Sequence, residues 1–331
     1  MRAVVCQELG PPSSLVVVDQ PDLPEPGPGR VNVAVEAAGV NYVDALFVQG
    51  KYQIKPPLPF VPGSEVAGHV TAIGDGVRAV AVGDRVLASC GLGAFAEQVS
   101  VAADAAVRLP DVLDAARAAT FTQSYATALF SLRERGRLTP GEIVLVLGAG
   151  GGIGLATVDV ARALGAHTIA AASTAAKRDA AVALGAEAVI DTSSESLKER
   201  ARELAAELTD RPVTGVDLVM DPVGGDLADA ALRALGEGGR YLVVGFASGD
   251  IPRLPLNQVL LRNRSLVGVD WGAWAMREPA AQAGLLGELL GWVADGHLRP
   301  TAPTAYPLDR VADALDDLLS RRVVGKIALE P

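Results

Sequence analysis

The sequence predicts an α/β protein in which a doubly wound parallel sheet interrupts a β-rich domain that closes as a small barrel. Three observations carry this expectation. The first hundred or so residues are short β-branched runs broken by Gly, Pro and Asp, the pattern of a small barrel. From about Asp111 apolar strands alternate with helical stretches, the pattern of a parallel sheet covered by helices. The final segment, "VVGKIALEP" (323–331), has the composition of a strand that returns to the barrel.

The barrel strands are expected in "RAVVCQEL" (2–9), "LVVVDQ" (15–20), "RVNVAVEAAGV" (30–40), "EVAGHVTAIG" (65–74), "DRVLAS" (84–89) and "FAEQVSVA" (95–102). "PDLPEPGPGR" (21–30) is a turn-rich connection. Parallel strands are expected at Ile143–Leu147, Thr168–Ala172, Ala188–Ile190, Asp217–Met220, Tyr241–Val244 and Ser265–Val269. The helices between them are "GIGLATVDVARALG", "AAKRDAAVALG", "SLKERARELAAELT" and "LADAALRALG". Gly165, Gly185 and Gly236 stand where a left-handed residue would stop a helix. Two further helical stretches, "REPAAQAGLLGELLGWVADG" and "LDRVADALDDLLSRR", follow the sixth strand. The expected division is 1–120 with 273–331 for the β-rich domain, and 121–272 for the parallel-sheet domain.

A chain of 331 residues holds two domains of ordinary size. Half of its residues are hydrophobic but few are aromatic, so the cores are expected to be built from Ala, Val and Leu. With 29 Lys and Arg against 39 Asp and Glu, and no dense basic cluster, nucleic acid is not an expected partner. No apolar run has the length of a membrane span, and the N-terminal run is too short for a signal peptide. Two cysteines, Cys6 and Cys90, make no disulfide framework, so a reduced cytoplasmic setting is expected.

The strand "EIVLVLG" runs into Ala149-Gly150-Gly151-Gly152-Ile153-Gly154 and then a helix. In the register Ala149-x-Gly151-x-x-Gly154, small residues let a pyrophosphate approach the backbone, and the helix N-terminus supplies N–H donors and partial positive charge. A glycine pattern alone is also an ordinary turn; its place between a strand and a helix, opening a series of such units, points to a dinucleotide. About 20 residues further on, an Asp or Glu would bind the ribose hydroxyls of NADH. Here that position is Ser173, followed by Thr174, Lys177 and Arg178. A carboxylate repels a 2′-phosphate and a cation attracts it, so NADPH is expected. Lys177 and Arg178 also read as ordinary solvent-facing helix residues, and whether Arg178 joins Lys177 at the phosphate is open.

A catalytic zinc needs about three ligands from Cys, His, Asp or Glu. His69, His167 and His297 form no motif with one another, and His69 reads as an ordinary strand residue. Cys90 stands alone, and no metal site is expected.

Several segments together carry a resemblance: "AAGVNYVD" (37–44), "PFVPGSEVAGHV" (59–70), "VGDRV" (82–86), "GAGGGIGLA" (148–156), "DPVGGD" (221–226), "GGRYLVVGFASG" (238–249), "YPLD" (306–309) and "VVGKIAL". The chain resembles, over nearly its whole length, the zinc-independent quinone oxidoreductases of the medium-chain dehydrogenase/reductase superfamily. The resemblance implies a GroES-like β-barrel catalytic domain interrupted by a Rossmann domain. It places Asn41 and Ser64 where zinc-dependent alcohol dehydrogenases carry a Cys and a His ligand. It implies cofactor contacts at Thr127, Gly151, Gly152, Ile153, Ser173, Lys177, Phe246, Ser248, Val269 and Trp271. Thr192 takes the cofactor-side position after the third parallel strand, where the family often has Tyr. Leu46 also departs from a common Tyr.

Hydride transfer to an ordinary ketone gains from a Lewis acid on its oxygen. Without one, the natural acceptors are already electrophilic: quinones, or α,β-unsaturated carbonyls. Asn41 is expected to hydrogen-bond the acceptor oxygen or the nicotinamide ribose through its amide, although it also reads as a turn residue. Tyr42 and Tyr52 are pocket residues in this reading, with Tyr52 a proton donor; both also read as packing, and solvent can supply the proton. Three functions remain open from sequence: an NADPH-dependent quinone reductase, an enoyl or 2-alkenal reductase, and an NADPH-binding structural or sensory protein with little turnover. The resemblance implies a homodimer paired along the sixth strand, for which the apolar edge "SLVGVDW" (265–271) would serve; a monomer stays open.

Overall fold

A computed structural model describes every residue, Met1–Pro331. In chain order the first elements are β1 (Arg2–Val5), β2 (Val16–Asp19), β3 (Arg30–Val40) and helix α1 (Tyr42–Val48). They are followed by β4 (Glu65–Ile73), β5 (Arg85–Ser89), β6 (Gln98–Ala102), β7 (Ala106–Arg108), α2 (Ala115–Ala119) and α3 (Thr122–Leu129). The alternating region comprises β8 (Ile143–Leu147), α4 (Gly152–Ala163), β9 (His167–Ala172), α5 (Ala175–Ala183) and β10 (Ala188–Asp191). It continues with α6 (Leu197–Glu207), β11 (Val216–Asp221), α7 (Leu227–Ala234), β12 (Leu235–Val243), α8 (Asn257–Leu260) and β13 (Ser265–Gly268). The last elements are α9 (Trp271–Arg277), α10 (Pro279–Ala294), β14 (Thr304–Pro307), α11 (Val311–Leu319) and β15 (Ile327–Glu330). No helix is long and apolar enough to cross a membrane.

The chain forms two compact units. One comprises Met1–Gln123, Gln282–Gly296 and Pro300–Pro331; the other comprises Ser124–Ala281 and His297–Arg299.

In the first unit the strands run in the order β14-β15-β3-β4-β5-β7, with β6 also on β3 and β1-β2 as a separate antiparallel pair. The long β3 is the organiser. Its first half pairs with β6, most of its length with β4, and its last residues with β15. Alternate residues of β3, Val31, Val33 and Val35, are buried in one core with Val66, Val70, Val86, Phe95 and Ile327. Burying such β-branched side chains contributes roughly 1.5–3 kcal/mol each. The final strand does return to the β-rich unit: β15 lies antiparallel to β3, with Ile327 opposite Val40.

In the second unit six parallel strands run in the order β10-β9-β8-β11-β12-β13. All five residues of β8 are buried, as a strand covered on both faces requires. Helix α6 buries one stripe, Leu197, Ala201, Leu204 and Ala205, spaced for helical packing, whereas α4 is buried all round from Gly154 to Ala161. Helix starts are fixed by side-chain caps, Thr174 for α5 and Asp270 for α9. The chain reverses direction across the sheet between β8 and β11. Ligands of such sheets bind outside the carboxyl ends of the strands at that switch point.

The stops expected at Gly165 and Gly185 are left-handed, with φ of +74° and +108°. The expected stop at Gly236 is wrong. Helix α7 ends at Ala234 because Leu235 is fully buried and already pairs with Val216, so Gly236 lies in β12. The left-handed glycine is Gly238, at φ +69°. Not foreseen from the sequence are α1, whose Tyr, Val and Phe are poor helix signals, the short helices α2, α3, α8 and α9, the three-residue β7, and β14, which ends in proline.

Candidate functional site

In the first unit the strand register assembles a buried polar cluster. Because Gly39 pairs with Glu65 on one side of β3, and Val40 with Ile327 on the other, the next residue, Asn41, emerges between Glu65 and Lys326. Asn41 caps α1 and is buried. Its Nδ2 donates to Glu65 Oε1 over 2.8 Å, and the Lys326 ammonium donates to its Oδ1. Lys326 also lies 3.3 Å from Glu65 Oε1. The second carboxylate oxygen of Glu65 accepts from the Gln123 N–H at 3.0 Å. Glu65 is 3% exposed, so its charge is held by these donors and not by water.

The amide orientation of Asn41 follows from its partners. A lysine ammonium is donor only, and an ionised carboxylate is acceptor only. Oδ1 must therefore face Lys326 and Nδ2 must face Glu65. An amide nitrogen carries two N–H groups, and Glu65 takes one.

Asp44, one turn into α1, completes the cluster. Its Oδ2 accepts from the Asn41 backbone N–H at 2.7 Å, while its Oδ1 is buried without a partner. Burial pushes the Asp44 carboxyl up to about 7, and the Glu65 charge pushes the same way; the Asn41 N–H and Lys326 pull against them. Burial also pushes the nearby Cys90 thiol up to about 12, with Asp44 and Glu65 adding to the effect. Cys90 is thus a protonated thiol, directed at the Gly63 carbonyl, and not a nucleophile.

Gly39 makes room for this arrangement. A Cβ there would sit 2.1 Å from the Ala119 carbonyl oxygen and 2.7 Å from Glu65 Oε1. Tyr52 packs its ring against Phe47, centroids 4.8 Å apart, beyond the end of α1, and Tyr42 begins that helix half-buried. No hydrogen bond joins either to the Asn41–Glu65–Lys326 cluster.

In the second unit the expected cofactor residues, Thr127 in α3 excepted, follow the carboxyl ends of the parallel strands. The loop after β8 turns through Gly148, at φ +59°, and enters α4 at Gly152 with Gly151 as cap. The glycines differ in what surrounds them. A Cβ on Gly154 would lie 2.3 Å from the Gly148 oxygen, and one on Gly150 would lie 2.4 Å from the Lys177 stem. One on Gly151 would meet only the Gly148 oxygen, at 3.4 Å. Gly154 and Gly150 are thus needed by the fold itself, whereas Gly151 keeps open space in front of the backbone. Gly151, Gly152 and Ile153 are all part-exposed at the start of a twelve-residue helix.

Ser173 is exposed at the end of β9, and Thr174 caps α5. Lys177 lays its stem along Gly150, beside the loop. Arg178 is engaged elsewhere: it bonds the Ala172 carbonyl and pairs with Asp191 at 3.1 Å. It is neither a free surface cation nor available to a phosphate in this arrangement, and the same bridge occupies the carboxylate that ends β10. Thr192 follows that strand, its N–H bonded to Ala172. Phe246 and Ser248 lie in the loop after β12, folded against Gly224 and Gly225 of the loop after β11. Buried Asp221 fixes this loop pair, accepting from the Val223 and Gly224 N–H groups and from Tyr241. Val269 follows β13, Trp271 begins α9, and Thr127 is buried within α3. Lys177 beside Gly150 brings the start of α5 next to the loop after β8, Phe246 beside Gly224 joins the loops after β11 and β12, and Val223 beside Gly148 links the two pairs; the Val269 N–H bonds the Val243 carbonyl at the end of β12.

Residues 27–111 match the alcohol dehydrogenase GroES-like domain and residues 152–284 match the zinc-binding dehydrogenase domain. The chain is 38% identical, over 99% of its length and 88% of the relative's, to a quinone oxidoreductase-like protein 2 homolog of Nematostella vectensis. The mouse quinone oxidoreductase-like protein 2 is 36% identical, with 99% and 91% covered. The chain belongs to the zinc-independent quinone oxidoreductases of the medium-chain dehydrogenase/reductase superfamily. Among solved structures, the Escherichia coli quinone oxidoreductase complexed with NADPH superposes with a TM-score of 0.88 at 29% identity, both chains fully covered. The Thermus thermophilus quinone oxidoreductase gives 0.84 at 35%, again over both whole chains.

The chain departs from the metal-binding description of its second domain match in a specific way. That match begins at residue 152 and does not include Asn41 or Ser64. Around Asn41 a lysine ammonium, not a set of further ligands, faces the Glu65 carboxylate. No group of three or more His, Cys, Asp or Glu side chains is placed to hold an ion. His69 is an exposed β4 residue paired with Glu36.

For a quinone oxidoreductase the sequence reading missed three members of the polar cluster: Lys326, Asp44 and Gln123. The sequence carries a signal for Lys326, since "VVGKIAL" reads as a returning strand. Only the register of β15 on β3 shows that its lysine meets Asn41.

Proposed function

We propose that the protein is a metal-independent oxidoreductase that transfers hydride from NADPH to a quinone. The observation that carries this reading is Asn41, a neutral amide fixed in orientation by Glu65 and Lys326, with one N–H left for an acceptor oxygen. A single uncharged donor suits an acceptor whose reduced form delocalises its negative charge. It does not suit an ordinary ketone, whose alkoxide needs several kcal/mol more stabilisation.

The second unit fits NADPH. The open face of Gly151 and the α4 N-terminus would hold the pyrophosphate. Ser173 and Lys177 would hold the 2′-phosphate, with Ser173 at the position where an NADH site carries Asp or Glu. Phe246 and Ser248 would border the nicotinamide side, with Thr127, Thr192, Val269 and Trp271 as further contacts. Bound NADPH supplies the hydride; the protein supplies alignment and a hydrogen bond to the acceptor. Asn41 presents its N–H to the oxygen on which charge develops. Tyr52 is the proton-donor residue of this reading, with water as the other source.

Relatives named quinone oxidoreductase-like protein 2, and structures of quinone oxidoreductases with NADPH, support the reading. The protein acts in the cytoplasm, and both of its cysteines are free. It is a homodimer joined along β13, an edge strand with Ser265 and Leu266 exposed; light scattering in solution reads this directly.

The test of function is turnover of NADPH with benzoquinones, naphthoquinones and 2-alkenals side by side, in the presence of a chelator. Quinone turnover well above alkenal turnover is expected. A preference for alkenals would move the protein to the enoyl reductases. Tight NADPH binding with no oxidation across the panel would make it a binding protein.

A further inference from the structure

We propose that Lys326 is a positioning residue for hydride transfer, which polarises the Asn41 amide and locks its free N–H toward the acceptor oxygen. The inference rests on the functional reading above and names a residue that reading does not require.

Lys326 is the only cation hydrogen-bonded to the Asn41 or Glu65 side chain. It is 12% exposed, and burying an ammonium to that degree is costly unless its donors are satisfied. A lysine needed only to neutralise Glu65 would be satisfied at the carboxylate. Instead its ammonium also bonds Asn41 Oδ1, while the Nδ2 of the same amide donates to Glu65 Oε1. The three groups thus close a ring, ammonium to amide oxygen, amide nitrogen to carboxylate, carboxylate to ammonium. A positive charge on the amide oxygen draws density through the C–N bond and makes the N–H groups stronger donors. Hydrogen bonds linked in sequence strengthen one another in a low-dielectric site. The ring also forbids the flipped amide, in which Oδ1 would face the Glu65 carboxylate and the ammonium would face an NH2 group. A flipped Asn41 would present its carbonyl, an acceptor, to the substrate oxygen. The position of Lys326 immediately before β15, locked by the Ile327–Val40 pairing, makes this geometry a consequence of the sheet.

The experiment combines kinetics of Lys326→Met and Lys326→Arg with a spectroscopic reading of Asn41. The chain has four asparagines, Asn32, Asn41, Asn257 and Asn263, so asparagine-selective 15N labelling gives four side-chain amide signals, and an Asn41→Asp variant assigns the relevant one. With NADPH and 1,4-benzoquinone, kcat for Lys326→Met should fall at least about tenfold, as for loss of a transition-state donor's support. The KM for NADPH should stay within about threefold, and Lys326→Arg, which keeps charge and donors, should recover most of the loss. The Asn41 amide protons should move upfield in Lys326→Met, in the absence of any substrate. Should Lys326→Met fail to fold, Lys326→Gln takes its place with the same readouts. Wild-type kcat in the methionine or glutamine variant, or unmoved Asn41 amide signals, would overturn the proposal. If the wild-type protein reduces no acceptor, the functional reading fails, while the amide signals still decide whether Lys326 polarises Asn41.

Discussion

Asn41 and Asp44 are joined twice across the first turn of α1: the Asn41 N–H donates to Asp44 Oδ2 at 2.7 Å, and the Asp44 N–H donates to the Asn41 carbonyl at 3.0 Å. The same geometry that fixes the start of the helix holds a carboxyl fully inside the protein. Burial raises it from 3.8 to about 7. Well below the unfolded value the carboxyl is neutral in both states and contributes no difference. Above it the unfolded chain releases the proton while the native state keeps it, so native stability falls as pH rises, until the native carboxyl ionises near 7. The loss amounts to as much as ~4 kcal/mol by linkage. Asp44→Asn keeps an acceptor for the Asn41 N–H and removes the titration. Thermal unfolding from pH 5 to 8.5 should show wild type losing stability relative to this variant as pH rises, with the gap levelling off above about 7. Parallel curves would mean that Asp44 is ionised throughout.

The glycines of the phosphate loop separate folding from binding. Gly154→Ala places a Cβ 2.3 Å from the Gly148 oxygen and 2.7 Å from the Ala149 Cα, both backbone atoms. Relief requires a shift of α4 against β8, and a loss of about 1–3 kcal/mol in unfolding free energy is expected. Gly151→Ala meets only one atom, at 3.4 Å, and its φ of −90° suits alanine. Its stability should stay within about 0.5 kcal/mol of wild type. Its NADPH affinity, read by fluorescence titration, should drop at least about tenfold, because the new methyl takes the space of the pyrophosphate. Unchanged affinity would place the phosphate elsewhere.

Cofactor choice should depend on Lys177 and not on Arg178. Lys177→Ala removes the cation whose stem lies along Gly150 and should weaken NADPH binding about tenfold, the effect of one charge-assisted contact, with NADH binding unchanged. Arg178→Ala breaks the bridge to Asp191 instead. It should alter stability modestly and leave the NADPH to NADH preference within about twofold. A preference that collapses in Arg178→Ala would reverse these roles.

Gly39→Ala should disturb the polar cluster without replacing any of its polar groups. The added Cβ would press on both the Ala119 carbonyl and the Glu65 carboxylate. A destabilisation of about 2 kcal/mol or more is expected from overpacking, with quinone turnover falling faster than NADPH affinity. Wild-type turnover in a folded variant would show that Glu65 has latitude the structure does not suggest.

Much of the fold was legible because it rests on local signals. Strand β8 was placed from five consecutive apolar residues, and the entry to α4 from a glycine run between a strand and a helix. Gly165 and Gly185 could be placed because a left-handed stop follows directly from sequence. Gly236 could not, because the end of α7 is decided by Leu235, which the parallel sheet draws into its core. The site divides in the same way. The loop and Ser173 are readable from one unit of strand, turn and helix. Lys326 lies 285 residues from Asn41, and only the pairing of the last strand with β3 brings them together. Arg178 looked like a surface cation because its partner, Asp191, belongs to the next strand.

The most direct test of the central claim follows the hydride itself. The protein is dialysed against a chelator and given 4-deuterated NADPH with an excess of 1,4-benzoquinone, under single-turnover conditions. Enzyme-dependent oxidation of the cofactor to NADP, with a slower rate for the deuterated carbon and a further loss of rate in Asn41→Ala, is the predicted result. NADPH that stays bound and reduced, or oxidation that returns only when a divalent metal is restored, would contradict it.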